Sequence, residues 1–323
     1  MYENSQADQN NAGSAAEGSG NSVKINGSGE INGGTYDSIK INGSGRVTGA
    51  NYSSIKINGS GSATNADGHT VKINGSGRVE RGSINNSIII NGSGSAMGGS
   101  YHTVKISGSG KITGDLQCTE FIVNGSGHAS GKVEGERVQI SGSADIDGDL
   151  TARELKINGS ASLRAGAVCD TVSIAGSADI RKSLDAQSIR IVGSAKINGD
   201  CNSERFYSNG SFEVGGLLNA DDVDIHLHAP RSHAREIGGE HIEVSLGNYK
   251  FGFLQAISAL GLYTPTLETD LIEGNEIRLE NTNAKVVRGN NVTIGKGCSI
   301  GLVEYKGSLY KTGDARVSEE RKI

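Results

Sequence analysis

The chain repeats itself, and that constrains its fold more than any other feature. The motif Ile-Lys-Ile-Asn-Gly-Ser-Gly recurs with small variation, its second apolar residue falling at Ile25, Ile41, Ile57, Ile73, Ile90, Ile106, Val123, Ile140, Ile157, Ile174 and Ile191, in steps of 16 or 17 residues. A twelfth copy carries Ser208 at this position and a degraded one carries Ile225. A unit this short has too little apolar surface to fold alone. It becomes stable only by stacking on its neighbours.

Within each copy the alternation has period two, the signature of strands. Two residues after the Ile column comes glycine, from Gly27 through Gly159 to Gly210. Two further on lies a second small residue, glycine as far as Gly127 and then Ala144, Ala161, Ala178 and Ala195. The next inward position is apolar, as at Ile31, Val47, Ile112 and Leu163. The fold class that follows is all-β: a single-stranded parallel β-helix, or β-solenoid, of triangular section, each winding hydrogen-bonded to the next about 4.8 Å away. Both small columns are expected to face a narrow interior whose opposing walls nearly touch. Bends are expected at Asn32-Gly33-Gly34 and Asp147-Gly148-Asp149.

Four regions result: a disordered polar tail over 1–21, a regular solenoid over 22–230, irregular C-terminal windings or a cap over 231–305, and a loose tail over 306–323. Aromatics make up only 4% of the chain, so the interior must be built from small and β-branched groups. The net charge of −5 gives no bulk attraction for nucleic acid. The first residues hold neither an apolar run nor a basic start, and no apolar stretch is long enough to span a bilayer. A cytoplasmic location is expected, peripheral to the inner membrane face at most.

Several residue sets invite a chemical reading. Lys24, Lys40, Lys56, Lys72, Lys105 and Lys156, with Arg190, share one outward position, and stacked they form a positive stripe able to bind an anionic polymer or lipid surface. The bland reading is a solvated face that keeps rods apart. Asp145, Asp147 and Asp149 share an outward face, the raw material of a calcium or glycosidase site. Winding length never varies by more than one residue between Ile25 and Ser208, leaving no loops to wall a cleft, so these read as surface carboxylates. The Asn and Ser columns contain no Thr-x-Thr pattern and read as polar ladders, not an ice-binding array. His226, His228, His233 and His241 cluster where the repeat degrades, and incidental placement outweighs metal binding. Cys118 and Cys169 fall in one column three windings apart, beyond disulfide reach, and with Cys201 and Cys298 read as free thiols. No catalytic residue, metal or cofactor is expected.

Val23-Lys24-Ile25-Asn26-Gly27 is as regular as any internal copy, so the first winding has no atypical cap. An uncovered end winding is a template for another chain. The aromatic-rich stretch from Tyr249 to Leu262, with Val303-Glu304-Tyr305, reads as either a cap or a subunit contact. Self-assembly end to end is therefore expected, through Val23, Ile25, Gly27 and Ile31 at one end and Phe251, Phe253, Val303 and Tyr305 at the other.

The short glycine-rich windings, of which Ile157-Asn158-Gly159-Ser160-Ala161 is typical, and the polar stretch ahead of the first one resemble the bactofilins, bacterial polymer-forming cytoskeletal proteins. The run from Lys285-Val286-Val287-Arg288-Gly289-Asn290-Asn291-Val292-Thr293-Ile294-Gly295 through Gly301-Leu302-Val303-Glu304-Tyr305 is similar to longer members from Gram-positive bacteria. The resemblance implies a right-handed β-helix, nucleotide-independent polymerisation through the rod ends, and roles in cell shape, envelope organisation or motility, with envelope or motility proteins as possible partners. Two other functions remain open: a monomeric platform holding an anionic envelope polymer or lipid surface on the lysine face, and, less favoured, a carbohydrate-active β-helix enzyme.

Overall fold

The structure, a computed structural model, describes residues 16–19, 21–80, 84–228, 231–247 and 264–323. Among the described residues twenty-eight strands, numbered in chain order, join into one sheet that winds on itself, and every pairing but the first is parallel. Register is set by the repeat: β2 (Ser22–Ile25) pairs with β4 (Thr35–Ile41), which pairs with β6 (Asn51–Ile57), so Ile25, Ile41 and Ile57 lie one above another. The short β3 (Glu30–Asn32) and β5 (Arg46–Thr48) pair likewise on another side. Pairing between β4 and β6 skips Asp37, which divides a winding into three straight stretches. The β-solenoid read from the alternation is the observed fold, and Gly33 and Gly34 take φ of 72° and 91° at the expected bend.

The isoleucine columns form the core. Ile41, Ile57, Ile73, Ile90 and Ile106 are all fully buried, as are Ile39 on the same strand as Ile41 and Val47 on the next strand. β-branched side chains suit such a column because few rotamers are lost when they stack.

The two small columns have different causes. A Cβ on Gly43 would lie 2.4 Å from the carbonyl oxygen of Gly27, and one on Gly176 only 1.9 Å from that of Gly159. The first column therefore points along the rod into the backbone of the preceding winding, which corrects the expectation that opposing walls require it; Gly159 is accordingly half-buried. The second column does face inward. A Cβ on Gly45 would meet Ile25 Cγ2 at 2.7 Å, and from Ala144 onward that position holds the buried Ala144, Ala161, Ala178 and Ala195. One winding inverts the assignment. Phe212 stands in register with Ala195, and the Ile column shrinks to the buried Ser208 beside it. Phe206 packs edge to face on Phe212 at 5.3 Å, so volume is exchanged between columns, not lost.

Beyond Ile225 the strands lengthen but the ladder continues, with Ile225, Val244, Leu279 and Ile294 in successive register. Residues 306–323, expected to be loose, instead complete β27 (Ser299–Lys311) and form β28 (Arg316–Lys322). Val317 is half-buried against the core there, and paired charges hold the rest, a signal that polar composition concealed. Among the described residues no helix is long and apolar enough to cross a membrane.

Candidate functional site

The surfaces with functional potential are the two ends of the stack and the files of charge along its sides. At the N-terminal end, β1 (Ala16–Ser19) folds back antiparallel on β2, matching Ala16 with Ile25 and Ser19 with Ser22. The expectations of an unstructured tail and an unshielded first winding are corrected here for residues 16–19; residues 1–15 of that tail lie outside the described residues. The stretch Ala-Glu-Gly-Ser has no apolar alternation, so nothing in its sequence announced a strand. The cover is partial. β3 pairs only with β5, and Thr35 and Tyr36 pair only with Asn51 and Tyr52, so their outer edges have no described strand partner. Of the residues expected to mediate assembly, Ile25 and Ile31 are buried in this first winding, and Val23 and Gly27 are half-buried.

At the other end, β28 covers Val303 and Tyr305, in register with Glu320 and Lys322, so these two lie one winding inside the stack. Phe251 and Phe253, with the rest of the Tyr249–Leu262 stretch, lie outside the described residues. The terminal strand itself carries Arg316, Glu319, Glu320, Arg321 and Lys322. A charged edge of this kind discourages indiscriminate strand addition. Leu309, Ala315 and Val317 are half-buried around it, and Tyr310 and Ile323 are exposed.

Along the sides, charge is stacked by the same register. Glu273, Arg288, Glu304 and Arg321 form one alternating file, joined at 3.0, 2.9 and 3.1 Å. Glu120, Arg137 and Glu154 form another, joined at 3.2 and 3.0 Å. Hydrogen bonds to the Glu304 carboxylate first, and then to Glu273, hold the Arg288 guanidinium above its usual pKa range. The sequence holds these residues 15 to 17 apart, and the repeat could have revealed the pairing had charge been read down each column. Asparagine makes a further file: Asn42, Asn58, Asn74 and Asn91 each donate an Nδ2–H to the Oδ1 of the asparagine one winding earlier, beginning with Asn26, at 2.8 to 2.9 Å. These ladders satisfy one another's amides, as the polar-ladder reading expects.

The lysine column is in strict register from Lys24 through Lys40 and Lys56 to Lys72, and it resumes at Lys105 and Lys156 after Ile89 and Gln139. The aspartate trio is divided among separate tasks. Asp147 pairs with His128 at 3.0 Å and Arg164 at 3.2 Å, and Asp149 accepts the Gly166 N–H at 3.2 Å. Asp115 and Asp200 accept the next winding's N–H at the same corner, so Asp149 belongs to a set of corner fasteners.

The histidines do not converge on one point. His241 pairs with Asp222 at 3.3 Å, while His226 contacts Asp224 at 3.2 Å and Ser245 Oγ at 3.0 Å. Burial, then the neighbouring His226, pulls the His228 pKa below its ordinary value. Ser245, His226 and Asp224 are linked in series, on strands whose backbone pairs along the ladder. Among the described residues no group of three or more His, Cys, Asp or Glu is arranged to hold a metal.

Register places Cys118, Gly135, Ala152 and Cys169 in one column, and all four cysteines are free and buried. Burial pushes the Cys118 and Cys169 thiols up to about 12. A thiol raised from 9.0 to about 12 has on the order of a thousandfold less thiolate at neutral pH. Labelling by a thiol reagent at pH 8 is expected to be slow in the native rod and fast in urea. Because the folded pKa exceeds the unfolded one, the native state retains these protons between pH 9 and 12 while the unfolded chain loses them. Stability is therefore full below pH 9 and falls as pH rises toward 12. Flat stability across that window would contradict the burial.

A continuous parallel β-solenoid with partly open ends defines the class of elongated repeat proteins built to extend along one axis. Within it, residues 81–168 match the family model Bactofilin, described as polymer-forming cytoskeletal. The bactofilin resemblance read from the repeat is thus shown over that segment. Two similar proteins of Bacillus subtilis (strain 168) are uncharacterized: YhbE is 42% identical over 111 residues, 34% of this chain and 45% of that protein. YhbF is 37% identical over 108 residues, 33% of this chain and 42% of that protein. The chain spans less than half the length of either relative. No solved structure matches.

Proposed function

We propose that this chain is a structural protein that assembles into nucleotide-independent filaments and serves as a cytoplasmic scaffold for cell shape, envelope or motility machinery. The observation that carries this reading is the match of residues 81–168 to a polymer-forming cytoskeletal family, set within an uninterrupted parallel ladder. An open winding edge offers unpaired N–H and C=O groups at the strand spacing a second rod needs. The N-terminal end suits this better than the C-terminal one. β3 and the start of β4 carry only Glu30 as a charge, whereas β28 is densely charged. β1 then acts as a removable cover, four residues long, that an incoming chain displaces.

Negative-stain microscopy and light scattering of the purified chain at micromolar concentration test the reading. Filaments are expected for the unaltered chain. Ile31→Lys, which puts a charge in the first winding, is expected to abolish them while circular dichroism remains that of a β-rod. A strictly monomeric wild-type rod, or filaments indifferent to Ile31→Lys, would count against it.

A further inference from the structure

Apart from Asp224 against Glu243, charges stacked in register on this rod alternate in sign. Glu273–Arg288–Glu304–Arg321 and Glu120–Arg137–Glu154 do so, and the isolated pairs Glu30–Arg46, Lys196–Glu213 and Asp270–Lys285 join opposite charges at 3.8, 3.0 and 2.7 Å. The file Lys24–Lys40–Lys56–Lys72 breaks this rule. Four ammonium groups stand on consecutive rungs; Glu17 of β1 is in register with Lys24, and among the side chains described no carboxylate lies within ion-pair distance of Lys40, Lys56 or Lys72. Like charges directly opposite in neighbouring strands destabilise a sheet. The columns on either side add no counter-charge: Ser22, Ser38, Ser54 and Thr70 on one, the asparagine ladder on the other. The regional balance points the same way. Residues 22–112 hold nine Lys and Arg against four Asp and Glu, while residues 113–247 hold twelve against twenty.

From this we infer that the lysine file is a binding site for a flexible linear polyanion, a chain of phosphate or phosphodiester groups laid along the rod axis. The hydrogen-bond ladder fixes the rungs about 4.8 Å apart. A flexible chain can place successive charges on successive rungs, releasing counterions at each contact. The file is one residue wide and bordered by neutral hydroxyls and amides, which fits a single strand of anions. A lipid surface would be met by a broad basic face, and a rigid duplex presents its charges along two helical strands. Binding relieves the repulsion between rungs, so occupancy also stabilises this end of the stack.

The test uses long-chain inorganic polyphosphate as probe, with orthophosphate at equal total phosphate and anionic phospholipid vesicles as parallel arms. Titration of the full chain at several salt concentrations is expected to show polyphosphate binding, with log K falling against log salt at a slope of about −3 for four contacts. Lys40→Gln combined with Lys56→Gln is expected to weaken binding at least ~10-fold and to halve the slope. Lys196→Gln combined with Lys285→Gln, which removes lysines already paired, is expected to leave both unchanged. Equal binding of orthophosphate, capture by vesicles without polyphosphate binding, or equal losses in the two double variants would each overturn the assignment. None of these readouts depends on filament formation.

Discussion

Gly176→Ala is expected to cost the rod about 3 kcal/mol or more, although it adds a single methyl group at a position only half-buried. The added Cβ would lie 1.9 Å from the Gly159 carbonyl oxygen and within 2.7 Å of further Asn158 backbone. Both obstacles are main chain, so no rotamer change can relieve them. The two windings must separate, which breaks the hydrogen bonds from Gly176 and Ser177 to Ile157 and Gly159 as well. The contrast is Ala161→Gly, which removes a buried methyl from the inward column and is expected to cost about 1 kcal/mol. Urea unfolding of the two variants measures both. If Gly176→Ala were the milder change, the axial contact would not be the reason for the glycine column.

Glu304→Ala is expected to loosen the C-terminal winding by roughly 1–2 kcal/mol without unfolding the rest of the stack. Glu304 is buried among the charged side chains, only 9% exposed, and accepts from Arg288 Nε at 2.9 Å and Arg321 Nη1 at 3.1 Å. Its loss severs the Glu304–Arg321 link between β27 and the terminal strand and leaves the Lys311–Glu320 pair in place. Arg288 keeps Glu273 and Arg321 keeps Glu319, and both arginines are half exposed, which holds the effect below that of a fully buried pair. Hydrogen exchange is expected to show faster exchange across Arg316–Lys322 and unchanged protection in the windings around Ile157. The comparison is Glu30→Ala, whose partner Arg46 lies 3.8 Å away with both side chains more than half exposed, and which is expected to do almost nothing. Unaltered exchange in β28 would show that backbone pairing alone holds it.

How much of this was legible in the sequence varies with distance along the chain. The alternation around Ile25 to Ile191 specified strands, register and the identity of the core, because each winding repeats the same environment and a one-residue slip would turn every isoleucine outward. The cysteine column and the lysine file followed from the same arithmetic. Three features escaped it. β1 was missed because its four residues form a strand only by borrowing the edge of β2. The terminal windings were read as loose because residues 306–323 are polar, and the partners that hold them are charges one winding away. The Phe212 and Ser208 exchange is the third, since each is a misfit in its own column and only the register and the packing of Phe206 on Phe212 show that volume moves between columns.

Periodicity by itself determined that the chain is a stack of windings, because a strand's period of two and a winding's period of 16 or 17 are both written linearly in the residues. Only the tertiary structure decided why each column is what it is. Whether a glycine faces the lumen or the backbone below depends on the direction of a Cα–Cβ bond, and whether a charge is matched or alone depends on the neighbour one winding away. Those are relations across space between residues distant in sequence, and they separate the paired files of this rod from the lysine file, whose rungs at Lys40, Lys56 and Lys72 have no described counter-charge.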